Sequence, residues 1–179
     1  MQINQKKLIV VILTSILALL AFFAVYHLYV STRIEAPIST EIEKISSVQS
    51  VQIQNDQEQI MLIVHVEESD NIQRLYCQIE EIVQSHSKKP YQIKIVDHRD
   101  QALQEVYDEL QLPIYEAVAK YDYDLLNKKI QQRCASSGID ARVFVDHEHL
   151  FIQMTQGDAF LAEVINLQLD EPTQQGETK

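Results

Sequence analysis

The densest group of side chains suited to metal or acid–base chemistry is the tetrapeptide Asp146-His147-Glu148-His149. Imidazole and carboxylate groups at close spacing are ligands for zinc and related metals. His147 and His149 are two residues apart, so on an extended chain they would point to the same side. A hairpin turn is also expected here, and a solvated turn needs the same polar residues. We favour the turn and keep His147 and His149 as candidate metal ligands.

A second candidate is Asp97-His98, which follows a predicted strand and precedes a predicted helix. Strand ends of this kind gather binding groups in α/β folds. Asp100 is already explained as the cap of the following helix, and the polarity of Asp97 and His98 also suits a loop. We keep Asp97 and His98 as further candidate metal ligands. A shared site would require the two histidine-containing segments to meet in space.

The sequence contains no pattern typical of nucleophilic or phosphate-transfer catalysis. The motifs G-x-S-x-G, H-E-x-x-H and the phosphate loop are absent, and the chain has 3 glycines in all. The neighbouring acids Glu80 and Glu81 fall on the outer side of a predicted helix and suit a solvated surface. We therefore expect a protein that is not an enzyme and that has no catalytic residues and no cofactor.

The two cysteines fall on predicted helices in phases that argue against a disulfide. Cys77 lies roughly opposite the apolar stripe of its helix, whereas Cys134 continues the stripe of Leu126 and Ile130. We expect Cys134 to be a small buried residue and Cys77 to lie off the core.

A long apolar run lies near the N-terminus, from Leu8 to Val30, and its 23 residues include no formal charge. About 20 apolar residues cross the hydrocarbon core as a helix, whereas the apolar region of a cleaved signal peptide is usually about 7–15 residues long. Tyr26, His27 and Tyr29 fall near one end of the run, where amphipathic rings settle at a membrane interface. The run predicts an uncleaved signal-anchor that spans the membrane once.

The charges around this run predict its orientation. Lys6 and Lys7 precede it, and positive charge favours the cytoplasmic side. Residues 1–7 should thus be cytoplasmic and the C-terminal domain should lie outside the cell membrane. The chain has 15 Lys and Arg and 26 Asp and Glu, which leaves 13 basic against 26 acidic residues beyond the run. Such a surface repels nucleic acid, so the expected partners are the membrane and another envelope protein or a second copy.

The rest of the chain predicts an α+β fold, one mixed α/β extracytoplasmic domain with two β-hairpins and three to four helices. A juxtamembrane linker covers 31–40, the domain covers 41–169, and a polar tail at 170–179 is predicted to be disordered. The predicted helices are 40–47, 71–87 with Asp70 as its cap, 100–121 with a kink or restart at Pro113, and 123–137. The predicted strands are 47–54, a central strand at 59–66, 91–96, 140–146, 149–156 and 159–169.

Two similar stretches suggest a duplication inside the domain. Residues 51–66 and 141–156 both predict strand, acidic turn and strand, and each follows a helix. Residues 159–165 suit a strand or a short helix, and we favour the strand. If a helix and a strand also followed the second hairpin, the domain would contain two α-β-β-α-β units. That order of elements resembles the small ring-building modules of some envelope assemblies, but no residue motif accompanies it and no site is carried over.

The sequence predicts a single-pass membrane-anchored extracytoplasmic protein that binds other proteins or builds an assembly in the cell envelope. The alternative is a membrane-tethered domain that senses a ligand or a metal through its histidine–acid segments. A third hypothesis, a membrane-tethered hydrolase, requires a pocket that joins Asp97 and His98 to the second hairpin.

Overall fold

The computed structural model describes residues 5–30, 34–55 and 58–167 of the 179-residue chain. These residues form five helices and two three-stranded sheets, so the fold is mixed α+β, as predicted. The predicted tail at 170–179 lies outside the described residues. The helices are α1 (Gln5–Val30), α2 (Ala36–Ile42), α3 (Ile72–His86), α4 (Gln101–Lys120) and α5 (Tyr123–Ala135). The strands are β1 (Val48–Asn55), β2 (Ile60–Val66), β3 (Tyr91–Val96), β4 (Asp140–Val145), β5 (His149–Gln156) and β6 (Ala159–Asn166).

The N-terminal helix α1 stands apart from the packed part of the protein. Its most apolar window, Ile9–Tyr26, holds 18 residues, and none of them is buried. Since a helix rises about 1.5 Å per residue, this window is about 27 Å long, close to the thickness of a hydrocarbon core. α1 is therefore long and apolar enough to span a membrane.

The first sheet is built from β1, β2 and β3. β1 and β2 form an antiparallel hairpin, and β2 pairs with β3 in parallel across α3, the crossover helix. β2 is the central strand, which confirms the prediction from its apolar character. Leu62, Val64 and Ile93 are buried in the core that this sheet forms with α2 and α3. Met61 and Ile63, which alternate with them along β2, are only half-buried.

Three local predictions about helices differ from the structure. α3 is capped by Asn71, whose side chain accepts a hydrogen bond from Arg74 N at 2.9 Å, and not by Asp70. α2 begins at Ala36, inside the range predicted as linker, because proline suits the first helical turn and Ile38 is fully buried. Pro113 does not restart a helix, since α4 continues as one helix to Lys120.

The second sheet is an antiparallel meander of β4, β5 and β6. Gly157 has a φ of 59°, a left-handed conformation that glycine adopts without strain, and β5 and β6 pair directly on either side of its turn. Residues 159–166 are strand, as we favoured. The hypothesis of two α-β-β-α-β units is wrong, because a two-residue turn leaves no chain for a helix between β5 and β6.

A second core lies between this sheet and the helices α4 and α5. Leu126, Ile130 and Cys134 are buried in it, as their helical spacing predicts. Cys77 is half-buried on α3, and both cysteines are free. The expectation that they do not form a disulfide is therefore confirmed.

Gln153 of β5 ties the second sheet to α3. Its side chain donates from Nε2 to Ser69 O at 2.6 Å and accepts from Ile72 N at 3.1 Å, and the residue is 5% exposed. Phe151 and Phe160 belong to the same core cluster as the inner face of α3. α3 thus covers part of both sheets, and the two halves of the domain pack as one body.

Candidate interaction cleft

β3 and β6 are facing edge strands of the two sheets, and they meet at one end only. His98 and Phe160 form an antiparallel bridge at that end. Next to the bridge, Asp97 Oδ2 accepts a hydrogen bond from Ala162 N at 2.8 Å. A carboxylate therefore replaces the backbone carbonyl that would otherwise pair with this amide.

The junction is fixed by Asp97, Arg99 and Glu163, which we call the clasp. Arg99 donates from Nε to Asp97 Oδ1 at 2.8 Å and from Nη1 to Glu163 Oε1 at 2.7 Å. The Asp97 side chain is only 4% exposed. Burial disfavours the charged guanidinium, but the hydrogen bonds to Asp97 and Glu163 outweigh this effect and raise the pKa of Arg99. The clasp is thus a largely buried ion pair with its hydrogen bonds made, and removing one partner would leave a buried charge poorly compensated.

Beyond the clasp the two strands separate and leave a cleft. Two adjoining cavities of about 490 Å³ and 270 Å³ share Gln92, Ile93 and Val164 as lining residues. The larger cavity reaches the clasp, and the smaller one reaches the first residue of β3 and the last residue of β6. We call the two together the β3–β6 cleft.

The β3 wall of the cleft carries unpaired backbone groups. Ile60 N donates to Pro90 O at 2.9 Å. In the parallel register, this bond determines which residues of β3 direct their backbone groups toward β2. The alternate residues turn their N–H and C=O groups away from β2 and toward the cleft. The residues that face the cleft in this way are Tyr91, Ile93 and Ile95. Their backbone groups have no hydrogen-bond partner among the described residues.

The β6 wall is built in the same way. Leu167 N donates to Glu148 O at 2.7 Å, and Ile165 pairs with Leu150 across the antiparallel register. Alternation then turns the N–H and C=O groups of Val164 and Asn166 toward the cleft. In the part of the chain that the structure describes, these groups also have no hydrogen-bond partner.

Aromatic rings form the floor of the cleft at its open end. The ring centroid of His149 lies 4.9 Å from that of Tyr76 and 5.7 Å from that of Phe151. Tyr76 is 6% exposed and His149 is 8% exposed, yet both line the smaller cavity. The Tyr76 hydroxyl and the His149 imidazole make no hydrogen bond within the described residues; the nearest acid to the imidazole is Asp146, with Oδ1 3.7 Å from Nδ1. The polar groups of these two enclosed residues therefore face an open cavity.

Carboxylates complete this end of the cleft. The hydroxyl of Tyr91 donates to Glu80 Oε1 at 3.1 Å and accepts from Gln84 Nε2 at 2.7 Å. Burial raises the pKa of Glu80 and also that of Tyr76, which the nearby Glu80 charge raises further. Glu148 lines the same cavity and is exposed. We call Tyr76, Glu80, Tyr91, Glu148 and His149 the mouth pocket.

The structure separates the two pairs of candidate metal ligands. His149 lies at the start of β5 and belongs to the mouth pocket, whereas His147 is exposed in the turn before it. Asp97 belongs to the clasp, and His98 Nε2 donates to Asp158 O, 2.6 Å away, at the other end of β5 and β6. The eight residues of β5 place these ends about 20 Å apart. No group of three His, Cys, Asp or Glu suited to a metal ion occurs among the described residues, and metal binding by either pair stays a prediction.

The Asp97-His98 segment lines a different cavity from the mouth pocket. That cavity, of about 560 Å³, also contains His65, Gly157 and Asp158. It thus reaches the β5–β6 turn, and none of its described lining residues belongs to the second hairpin, which the hydrolase hypothesis required.

Sequence reasoning missed Tyr76, Glu80 and Tyr91 as members of a site. Glu80 was interpreted as a solvated acid, but it lies one helical turn after Tyr76 and is half-buried beside β3. An acid four residues after an aromatic on the apolar face is a signal that could have marked this position.

Comparison of the chain with protein-family models, with curated proteins and with solved structures finds no match at any of the three levels.

Replacing Asp97 by alanine should lower the free energy of unfolding by about 3–5 kcal/mol. The change removes the acceptor of the Ala162 amide and of Arg99 Nε inside the protein and leaves Glu163 as the only acid paired with Arg99. Denaturant unfolding of the full chain in detergent micelles, followed by circular dichroism, measures it. Asp140→Ala is the control, because the Asp140 side chain is 67% exposed and its pair with Arg142 is long, at 3.4 Å. Equal losses for the two variants would contradict the role of the clasp.

Glu80→Gln should raise the melting temperature at pH 7. The side-chain amide of the introduced glutamine keeps an acceptor oxygen for the Tyr91 hydroxyl without burying a charge. The pKa of Glu80 is raised in the folded state, so ionisation costs folding free energy above that pKa and costs nothing below the unfolded value of about 4.3. The advantage of the variant should therefore shrink as the pH falls from 7 to 4.

Thermal unfolding across that pH range is the measurement, and Glu81→Gln on the exposed side of α3 is the matched control. If the two variants have the same melting temperature at pH 7, burial of the Glu80 charge does not lower the stability of the folded protein.

Proposed function

We propose that this chain is a single-pass membrane-anchored protein whose globular part lies outside the cytoplasm and binds another envelope protein or builds an assembly there. The observation that carries the proposal is the β3–β6 cleft, where two strand edges with unpaired backbone groups face each other in a packed protein. Unpaired edges of this kind readily accept a further polypeptide strand.

The properties of α1 support the membrane part of the proposal. The window Ile9–Tyr26 is apolar and none of its residues is buried against the globular part, so a lipid environment would cover it. Lys6 and Lys7 precede the apolar window in the sequence, and the chain beyond residue 30 has twice as many acidic as basic residues. Positive charge favours the cytoplasmic side, which supports an N-terminus inside and a globular part outside.

The charge of the globular part supports a protein as the partner rather than a nucleic acid. With 26 acidic against 13 basic residues beyond α1, long-range repulsion opposes the approach of a polyanion. The same field attracts segments that carry lysine or arginine.

The anchor and its orientation are tested by labelling intact cells. Gln78 is exposed on α3, so Gln78→Cys in a Cys77→Ser background should react with a membrane-impermeant maleimide added outside. Gln2→Cys should react only after lysis, and the chain should stay in the membrane during carbonate extraction. Labelling of Gln2→Cys in intact cells, or release by carbonate, would contradict the proposed topology.

The interaction is tested by site-specific photo-crosslinking in the native envelope. A benzoylphenylalanine at Gln92, an exposed residue that lines both cavities, should form one or more defined protein adducts. The same group at Gln52, exposed on β1 at the far edge of the first sheet, is the control. Recovery of only the uncrosslinked monomer from Gln92 at native expression levels would overturn the proposal.

A further inference from the structure

The shape of the β3–β6 cleft limits what can enter between its walls. Neighbouring strands lie about 4.8 Å apart, so a strand placed between β3 and β6 would have one neighbour on each side and would join the two sheets into one. The outward backbone groups of β3 and of β6 could then all be paired. Tyr91 to Ile95 span about 13 Å at about 3.3 Å per residue, so at most four to five residues can lie along the wall, and fewer where the two strands converge at the clasp.

A strand that already belongs to a sheet cannot occupy this position. The outer strands of the globular part, β1 and β4, each have a neighbour on one side, and that neighbour would collide with a wall of the cleft. A second copy of the chain therefore cannot enter by its sheet edges. The occupant must be an isolated extended segment, such as a terminus or a linker.

The mouth pocket adds a requirement for charge. Glu80 and Glu148 supply two carboxylates, and Tyr76, Tyr91 and His149 supply aromatic walls. Carboxylates beside aromatic rings form a favourable site for an ammonium or guanidinium group. Tyr76 is 6% exposed and the His149 side chain is 10% exposed, and the Tyr76 hydroxyl, which faces this cavity, has no hydrogen-bond partner among the described residues. Their position at this cavity provides the second, independent sign of a ligand.

The chain's own last residues suit this site poorly. Residues 168–179 follow β6 directly and contain three acids and one lysine. Their charge would oppose that of Glu80 and Glu148. Charge complementarity favours a basic segment from another protein.

We propose that the β3–β6 cleft binds an extended basic segment of another protein by strand addition, with one lysine or arginine side chain in the mouth pocket. This inference rests on the proposed interaction function and names the chemistry of the partner. Strand addition supplies affinity through backbone hydrogen bonds, and pockets for alternate side chains supply specificity.

The walls also define the side chains next to the basic one, taken in order from the mouth pocket toward the clasp. The next side chain points to the other side of the sheet, where Met61 lines the larger cavity, so an apolar residue suits it. The side chain after that returns to the α3 side beside Ile93 and Val164, which belong to the first core or pack against it. A small apolar residue suits this position, so the segment has the order basic, apolar, small apolar.

The test uses the full chain in lipid nanodiscs and a fluorescein-labelled peptide, Thr-Lys-Val-Ala-Val-Thr. Fluorescence anisotropy should give a Kd of about 10–100 µM, a value typical of short segments bound mainly through their backbone. Replacing the lysine of the peptide by glutamine should weaken binding about tenfold, and N-methylation of alternate backbone amides should abolish it. N-acetyl-lysine methylamide, which has the charge but no strand, should bind at least tenfold more weakly than the peptide.

Variants of the chain test both parts of the site. Glu80→Gln should weaken the binding of the lysine peptide about tenfold and leave that of the glutamine peptide unchanged. Asn166→Pro removes one backbone N–H from the β6 wall at the strand end, where proline is tolerated, and should weaken both peptides. Asn166→Ala keeps that N–H and is the matched control. Circular dichroism melts establish that each variant is folded.

Three outcomes would overturn the inference. One is the absence of binding by the lysine peptide to the folded full chain. The second is equal affinity for the N-methylated peptide, which would exclude strand addition. The third is a gain of tenfold or more on deletion of residues 168–179, which would make the chain's own tail the occupant. If peptide binding is absent while Gln92 still forms crosslinks in the envelope, the proposed interaction function stands and only the assigned ligand is wrong.

Discussion

Asp97 holds together two sheets that would otherwise have no shared backbone pairing beyond the bridge at His98. Its carboxylate accepts from the Ala162 amide on one side and from Arg99 on the other, and its side chain is almost fully enclosed. Because a carboxylate is an acceptor only, it can satisfy an amide and a guanidinium together without a strand-to-strand ladder. The edges of β3 and β6 are joined at one end and are not paired along their length. The cleft is the space between their unpaired parts.

The other connections between the sheets act at a distance from this point. Gln153 fixes the start of α3 to β5, and the inner face of α3 lies on both sheets. The walls of the cleft are therefore held from behind by packed side chains and at one end by the clasp. Such support keeps two unpaired edges apart, since edges that were free to move would close on each other.

Periodicity along the sequence was sufficient to predict most elements, because helix and strand patterns depend on neighbours in the chain. The stripe of Leu126, Ile130 and Cys134 and the central position of β2 are examples. The caps at Asn71 and Asp70 were confused because both residue types can accept the same amide. The duplicated unit was proposed from two similar hairpins, and the Gly157 turn excludes it by pairing β6 directly with β5.

The candidate site could be predicted only in part, because its members come from α3, β3, the β4–β5 turn and the start of β5. His149 was selected for its spacing from His147, but the spacing rule holds only on a continuous strand, and β5 begins at His149 itself. Glu80 was assigned to solvent because its helix alone does not show that β3 and the turn lie beside it. Contacts between distant segments determined the environment of each of these residues.

The clasp also has a consequence for the order in which the protein is made. Asp97 is synthesised 65 residues before its partner amide on β6, so during synthesis the β3 edge is present before β6 can cover any part of it. Domains fold as their segments emerge, and an open edge is the usual place for pairing with a wrong chain. The short, charged character of the segment Asp97-His98-Arg99-Asp100 at the end of that edge limits such pairing during synthesis, before the same residues close on β6.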